Sequence, residues 1–187
     1  SITCIFPVIW LIYSSFKTNA EFNADIMSLP SSLNLENYVR ILESGEMITY
    51  LWNSFRTTLC SLVLILLFGF ILGYFLARFQ FRGRKLLYNY FLLGMLIPIH
   101  AIIVPMYILF KQAHLSDSWF TLIFPYVSFG LPIAVFLVES YVRGLPKEME
   151  EAAAIDGSSF TRTMFTIILP MAVPILTAVG IIQFFTC

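Results

Sequence analysis

Leu59 to Ala77 reads LCSLVLILLFGFILGYFLA, an unbroken apolar run without one charged side chain. It is close to the ~20 residues that a helix needs to cross the hydrocarbon of a bilayer, and a helix beginning near Asn53 has that length. Arg78, Arg82, Arg84 and Lys85 follow at once with no acid among them, which marks this end as cytoplasmic by the positive-inside rule. Gly69 and Gly73 stand four apart. That spacing either admits a closely packed neighbouring helix or reflects glycines merely tolerated in a membrane span. The whole chain agrees with this stretch: of 187 residues 59% are hydrophobic and 12% charged, against roughly a quarter charged in soluble domains. The formal net charge is zero, so nothing suggests a nucleic-acid partner.

Toward the N-terminus, Ile2 to Phe16 is apolar but short of a full span, and Ser14-Ser15-Phe16-Lys17 is a poor signal-peptide cleavage site. It is expected to be the end of a truncated first membrane helix. Residues 17–47 turn polar and net acidic, with Asn19, Asn23, Pro30, Ser31, Ser32 and Asn34 as loop signals. Within them, Leu35 to Leu42 predicts a short amphipathic helix capped by Asn34. Toward the C-terminus, a third span is expected from about Phe91 to Phe110 and a fourth from Trp119 to Val138. Each carries two prolines seven apart, Pro98 with Pro105 and Pro125 with Pro132. In one helix that spacing puts each pair on a single face, where the freed carbonyls need partners inside protein. These faces either pack as kinks or line a substrate path. A fifth span starts at about Met171 and is expected to be incomplete at Cys187.

Counting from the basic cluster puts the N-terminus and residues 143–162 in the cytoplasm, and loops 17–47 and Lys111 to Ser118 outside. The expected fold is therefore all-α, a polytopic transmembrane helical bundle with five spans, the first and fifth incomplete. Residues 1–49 form the truncated helix and extracytoplasmic loop. Residues 50–187 form the transmembrane domain with a cytoplasmic loop at 143–170.

In that loop Pro146 suits the first position of a helix, and Glu148, Glu150 and Glu151 lie early in it, where the helix dipole favours acids. Leu145 is a poor cap. Pro146 to Ile155 predicts a helix of about 15 Å, too short to span anything. Asp156-Gly157 stops it, Gly157 being able to turn left-handed. Ser158 or Ser159 then caps a second short helix with Phe160, Met164 and Phe165 as its apolar face. Pro170 and Pro174 shape the entry to the fifth span.

Glu151, Ala152, Ala153, Gly157, Ile167, Leu169 and Pro170 stand at the spacing Glu-Ala-Ala, three residues, Gly, nine residues, Ile-x-Leu-Pro. This resembles the coupling-loop signature of permease subunits of bacterial ATP-binding-cassette importers. Pro7-Val8-Ile9-Trp10, Leu35-Glu36-Asn37-Tyr38, Arg78-Phe79-Gln80-Phe81-Arg82-Gly83, Ile97-Pro98, Pro105-Met106-Tyr107 and Leu145-Pro146-Lys147-Glu148 are similar to the carbohydrate branch of that family, the smaller partner of the maltose-type pair. The resemblance implies the type I importer permease fold and a subunit of the bacterial inner membrane. It implies as partners a second permease in a heterodimer, two ATPase subunits and an extracytoplasmic solute-binding protein. The coupling residues would be Glu151, Ala152, Ala153, Asp156, Gly157, Ile167, Leu169 and Pro170. Ala152 and Ala153 would let the helix seat closely, and Glu151 would meet a basic partner. No cofactor is expected in this chain. It has no G-x-x-x-x-G-K-[ST] phosphate loop, so ATP and Mg would belong to the partner ATPase and the chain itself would not be an enzyme.

Other candidates for chemistry are few. His100, beside Pro98, is an ionisable residue in a span and so either functional or structurally hydrogen-bonded; with Pro98, Pro105, Pro125 and Pro132 it makes up the possible pathway-facing set. Cys4, Cys60 and Cys187 lack metal-ligand spacing and read as buried thiols. Glu139 and Gln183 look isolated, and Arg56 can snorkel to outer headgroups. Sugar or oligosaccharide import is the reading. The alternatives are import of an amino acid, peptide or polyamine by the same kind of permease, a secondary transporter, and an intramembrane enzyme. A secondary transporter would need paired ionisable groups within the spans, and an enzyme would need a convergent nucleophile or metal set.

Overall fold

The computed structural model describes residues 2–116 and 118–187; Ser1, and Asp117 within the expected Lys111 to Ser118 turn, lie outside them. The regular secondary structure among its described residues is helical, with no strand. They divide into two units, Ser1–Asn53 and Ser54–Cys187.

In the first unit α1 (Ile2–Ser14) has 13 residues, about 20 Å and short of a bilayer. The acidic segment after it folds back on the end of α1 around Lys17. That side chain is only 2% exposed and donates to the carbonyls of Asp25 and Ile26 and to the Ser28 hydroxyl, at 3.0, 3.1 and 3.2 Å. A buried ammonium needs such acceptors. Two helices follow, α2 (Asn19–Ala24) and α3 (Glu36–Ser44). Polar composition hid α2, yet its signal is present: Thr18 and Glu21 form a reciprocal capping box. The expected helix is present as α3, but its N-cap position is Leu35 and carries no side-chain cap; Asn34 sits one residue earlier, where its Oδ1 accepts from the Glu36 amide at 2.7 Å.

The long helix α4 (Glu46–Arg78) has 33 residues, extending the expected span toward the N-terminus. Close packing explains its two glycines. A Cβ on Gly69 would stand 2.7 Å from Ala134 Cβ, and both faces meet in the core around Ile65, Phe70, Tyr74, Ala134 and Val138.

The third span is not the single helix expected. It is split into α5 (Arg84–Gly94) and α6 (Ile99–Gln112), bent by 94° at the break. Pro98 heads α6, and the residue before a proline is driven out of the helical region, so the chain turns there. Pro98 and Pro105 therefore do not share a helix face, and both are exposed. α7 (Ile123–Arg143) starts four residues and ends five residues later than expected. Pro125 and Pro132 are buried in it, with Gly94 of α5 against the Pro132 ring.

The last helical stretch runs without a break through α9 (Phe160–Thr163), a π-turn at Met164–Ile168 and α10 (Leu169–Thr186). It thus begins well before Met171. Three helices among the described residues are long and apolar enough to cross a membrane, or four if α5 and α6 count as one.

Contacts fix directions. Thr57 donates to the Trp119 carbonyl, Gly69 meets Ala134, and Arg78 donates to the Leu145 carbonyl, so α4 and α7 run parallel. Tyr141 donates to the Met171 carbonyl and Gln183 approaches the Gly130 carbonyl, so α10 runs antiparallel to them. The basic segment at 78–85 and the 143–170 loop come together at one end.

Candidate functional site

At that end the loop carries α8 (Glu148–Ile155), starting two residues after the expected Pro146 and without a side-chain cap. Its C-terminus is a Schellman motif: the Ser158 amide donates to the Ala153 carbonyl at 2.9 Å and the Gly157 amide to the Ala154 carbonyl at 3.1 Å. Gly157 takes φ +78° with open space where a Cβ would be, so backbone conformation alone requires glycine here. Ser159 caps α9, accepting from the Arg162 amide at 3.4 Å. The capping signals in the sequence were sufficient at both ends of this turn.

α8 has two faces. Glu148, Glu151, Ala152 and Ile155, at helical spacing, are all exposed, Ile155 by 86%. Asp156 and Gly157 extend that surface. The inner face holds Glu150 and Ala153; the latter is 6% exposed, so it seats α8 on its own bundle instead of being free to seat a partner. Ile167 and Leu169 pack partly against the core, and Pro170 is exposed. Ile155 went unremarked in the sequence, although its place four residues after Glu151 puts it on the same face.

The brace beneath α8 was not legible from the motif. Glu150 accepts from Tyr74 Oη at 2.8 Å and pairs with Arg78 Nε at 2.5 Å, while Arg78 also donates to the Leu145 carbonyl at 3.0 Å. The Tyr74 ring lies 5.7 Å from Phe160, which also packs against Phe75 and Phe79. Phe165 meets Phe70. The apolar face expected of Phe160, Met164 and Phe165 is thus turned to α4. Tyr74 and Arg78 are four apart and so share a face, and an arginine at the end of a packed helix calls for a carboxylate.

Glu139 is not isolated. It is 2% exposed and pairs with Arg84 at 3.4 Å and with Arg143 one turn on. Arg84 also donates to the Leu76 carbonyl at 2.6 Å, so this carboxylate joins α4, α5 and α7. Gln183 is likewise engaged, with the Gly130 carbonyl and Thr186. Arg56 stacks over the Trp119 ring at 4.5 Å. The three cysteines are free, and Cys4 is exposed while Cys60 and Cys187 are half-buried, so the expectation of buried thiols fails.

Of the pathway candidates, His100 lines an open cleft of about 430 Å³ shared with Tyr126, Phe129, Gly130 and Gln183. Pro105 is exposed on α6, while Pro125 and Pro132 are packed inside the bundle.

The profile of the binding-protein-dependent transport system inner membrane component family matches residues 65–186. The chain belongs to this family. It is 37% identical over 184 residues to the diacetylchitobiose uptake system permease protein NgcG of Streptomyces coelicolor, covering 98% of this chain and 61% of that one. It is 35% identical to the arabinooligosaccharides transport system permease protein AraQ of Halalkalibacterium halodurans, covering 96% and 65%. Identity to the trehalose/maltose transport system permease protein MalG of Thermococcus litoralis is 32%, covering 98% and 66%. The chain thus spans less than two thirds of the length of these relatives. In fold it is similar to a chain of the crystal structure of a bacterial ABC transporter involved in the import of the acidic polysaccharide alginate, with a TM-score of 0.75 at 19% identity, covering 99% of this chain and 65% of that one.

Proposed function

We propose that this chain is the membrane-spanning permease subunit of an ATP-driven importer for a sugar or oligosaccharide, forming half of the translocation pathway. The observation that carries the reading is the exposed row Glu148, Glu151, Ala152 and Ile155 on α8, held out from the bundle by the Glu150 brace. A short rigid helix with one apolar knob and two carboxylates suits a cleft with basic edges on a separate ATPase. The contact is smaller than the ~800 Å² per partner of a standard interface, so a few residues carry it. The family profile supports a solute-binding protein and an ATPase as partners. The second membrane subunit is taken to be a different chain.

Carbohydrate as the solute is supported by the relatives, whose names specify diacetylchitobiose, arabinooligosaccharides and trehalose or maltose. The basic segment 78–85 shares an end with the loop, and the positive-inside rule makes that end cytoplasmic. The N-terminus lies on the same side in this reading.

Copurification with the ATPase and uptake of labelled oligosaccharides into vesicles test the proposal. Gly157→Leu and Glu151→Lys are expected to insert normally but to weaken assembly or to separate hydrolysis from uptake. Normal assembly and uptake in both variants would sink the coupling role. Uptake of amino acids or peptides, with sugars excluded, would overturn the solute class.

A further inference from the structure

If α8 is pushed by an ATPase, the motion has to leave the loop by some route. Two covalent routes exist. Upstream, Gly144 to Lys147 joins α8 to α7 through a turn outside any helix. Downstream, α9 continues through the π-turn into α10. A third route is made of side chains and reaches a span that is distant in sequence.

The last two turns of α4 hold the loop at three places. Arg78 takes the Leu145 carbonyl at the start of the loop and the Glu150 carboxylate within α8. Tyr74 donates to the same carboxylate at 2.8 Å, and its ring lies 5.7 Å from Phe160, beyond the Gly157 turn. Tyr74 therefore touches both limbs of the loop, one through its hydroxyl and one through its ring. The Arg78 and Tyr74 side chains are almost wholly enclosed, so water does not readily replace these bonds.

We infer that Tyr74 and Glu150 form the joint through which movement of the α8 loop is passed to α4, in addition to the chain connections to α7 and α10. α4 packs without space against α7 at Gly69 and Gly73, so it follows the loop as a rigid body. Arg84, bonded to the Leu76 carbonyl and Glu139, carries the displacement on to α5. Tyr74 and Glu150 are positioning residues, acting through the helices they join. The inference rests on the proposed function above.

The test uses the full-length protein assembled with its ATPase and second membrane subunit in liposomes. Tyr74→Phe removes one hydroxyl and keeps the ring against Phe160; Glu150→Gln keeps the shape and removes the charge. Both are expected to assemble and to hydrolyse ATP, while solute taken up per ATP falls roughly three- to tenfold, the scale of one ordinary hydrogen bond. Spin labels at the exposed Val63 of α4 and Ile181 of α10 are expected to show a nucleotide-dependent distance change in the parent that shrinks in Tyr74→Phe. An unchanged ratio of uptake to hydrolysis in both variants, even with both rates lowered, overturns the joint and leaves a structural brace. A parent protein that recruits no ATPase and moves no solute instead overturns the functional reading, and the joint with it.

Discussion

Gly73 lies so close to α7 that a Cβ on it would stand 2.7 Å from Val138 Cγ1 and 3.1 Å from the Glu139 amide nitrogen. Neither atom is the free end of a long side chain, so neither can move aside cheaply. Gly73→Ala, and Gly69→Val one turn earlier, are expected to force α4 and α7 apart and to cost about 1–3 kcal/mol each. Thermal unfolding in detergent measures this. Parent-like stability in both variants would contradict the packing described.

The two arginines on Glu139 are unequal. Arg84 is largely enclosed and Arg143 is more than half exposed. Arg84→Ala is expected to cost about 3 kcal/mol, because a buried carboxylate loses its shielded partner, whereas Arg143→Ala should cost below about 1 kcal/mol. Denaturant unfolding of the two variants side by side would reveal the reverse order if the assignment were wrong.

At Gly157 no atom obstructs a side chain, so substitution tests conformation alone. Gly157→Ala is expected to cost about 1–2 kcal/mol, the left-handed penalty for an L-residue, and Gly157→Asn less. The Ser158 amide, bonded to Ala153, should exchange with solvent faster in the alanine variant. Unaltered exchange would mean that the turn does not depend on this conformation.

Glu21 supplies a pH dependence in the polar segment after α1. Its carboxyl is held down to about 2, first by the Ser31 hydroxyl and then by the Thr18 amide. A depressed folded-state value stabilises the capped form of α2 above the ordinary carboxylate range, and that contribution is lost as pH falls through about 2. Ser31→Ala is expected to raise the titration of Glu21 toward its ordinary value, read by side-chain NMR, and to loosen α2 at about pH 3. A titration that does not move would remove Ser31 as the cause.

Local signals decide most of the turns and caps at the 143–170 loop, although the local capping box of Thr18 and Glu21 lay hidden in a polar segment. Gly157 and Ser159 act as expected because caps and turns are decided within a few residues. The charge-free run at Leu59 to Ala77 announced α4 for the same reason. Long-range pairing was the part that spacing could not supply. Glu139 looked solitary because Arg84 lies on another helix, and Glu150 passed as one acid of a helix N-terminus because Tyr74 and Arg78 precede it by more than seventy residues. Pro98 and Pro105 misled for the opposite reason: a seven-residue interval means one face only if the helix between them is continuous, and Pro98 itself ends that continuity.

The widened turn at Met164–Ile168 sets the rotational phase between the loop and α10. Its Leu169 amide reaches back five residues, to the Met164 carbonyl, which relieves the clash that Pro170 would cause in a straight helix. One extra residue per helix is about 100° of rotation. Deleting any single residue from this turn would therefore leave the hydrophobic composition of the span intact while swinging Phe160 off the Tyr74 side of α4, so the alignment of loop and membrane is stored in one residue of helical slack.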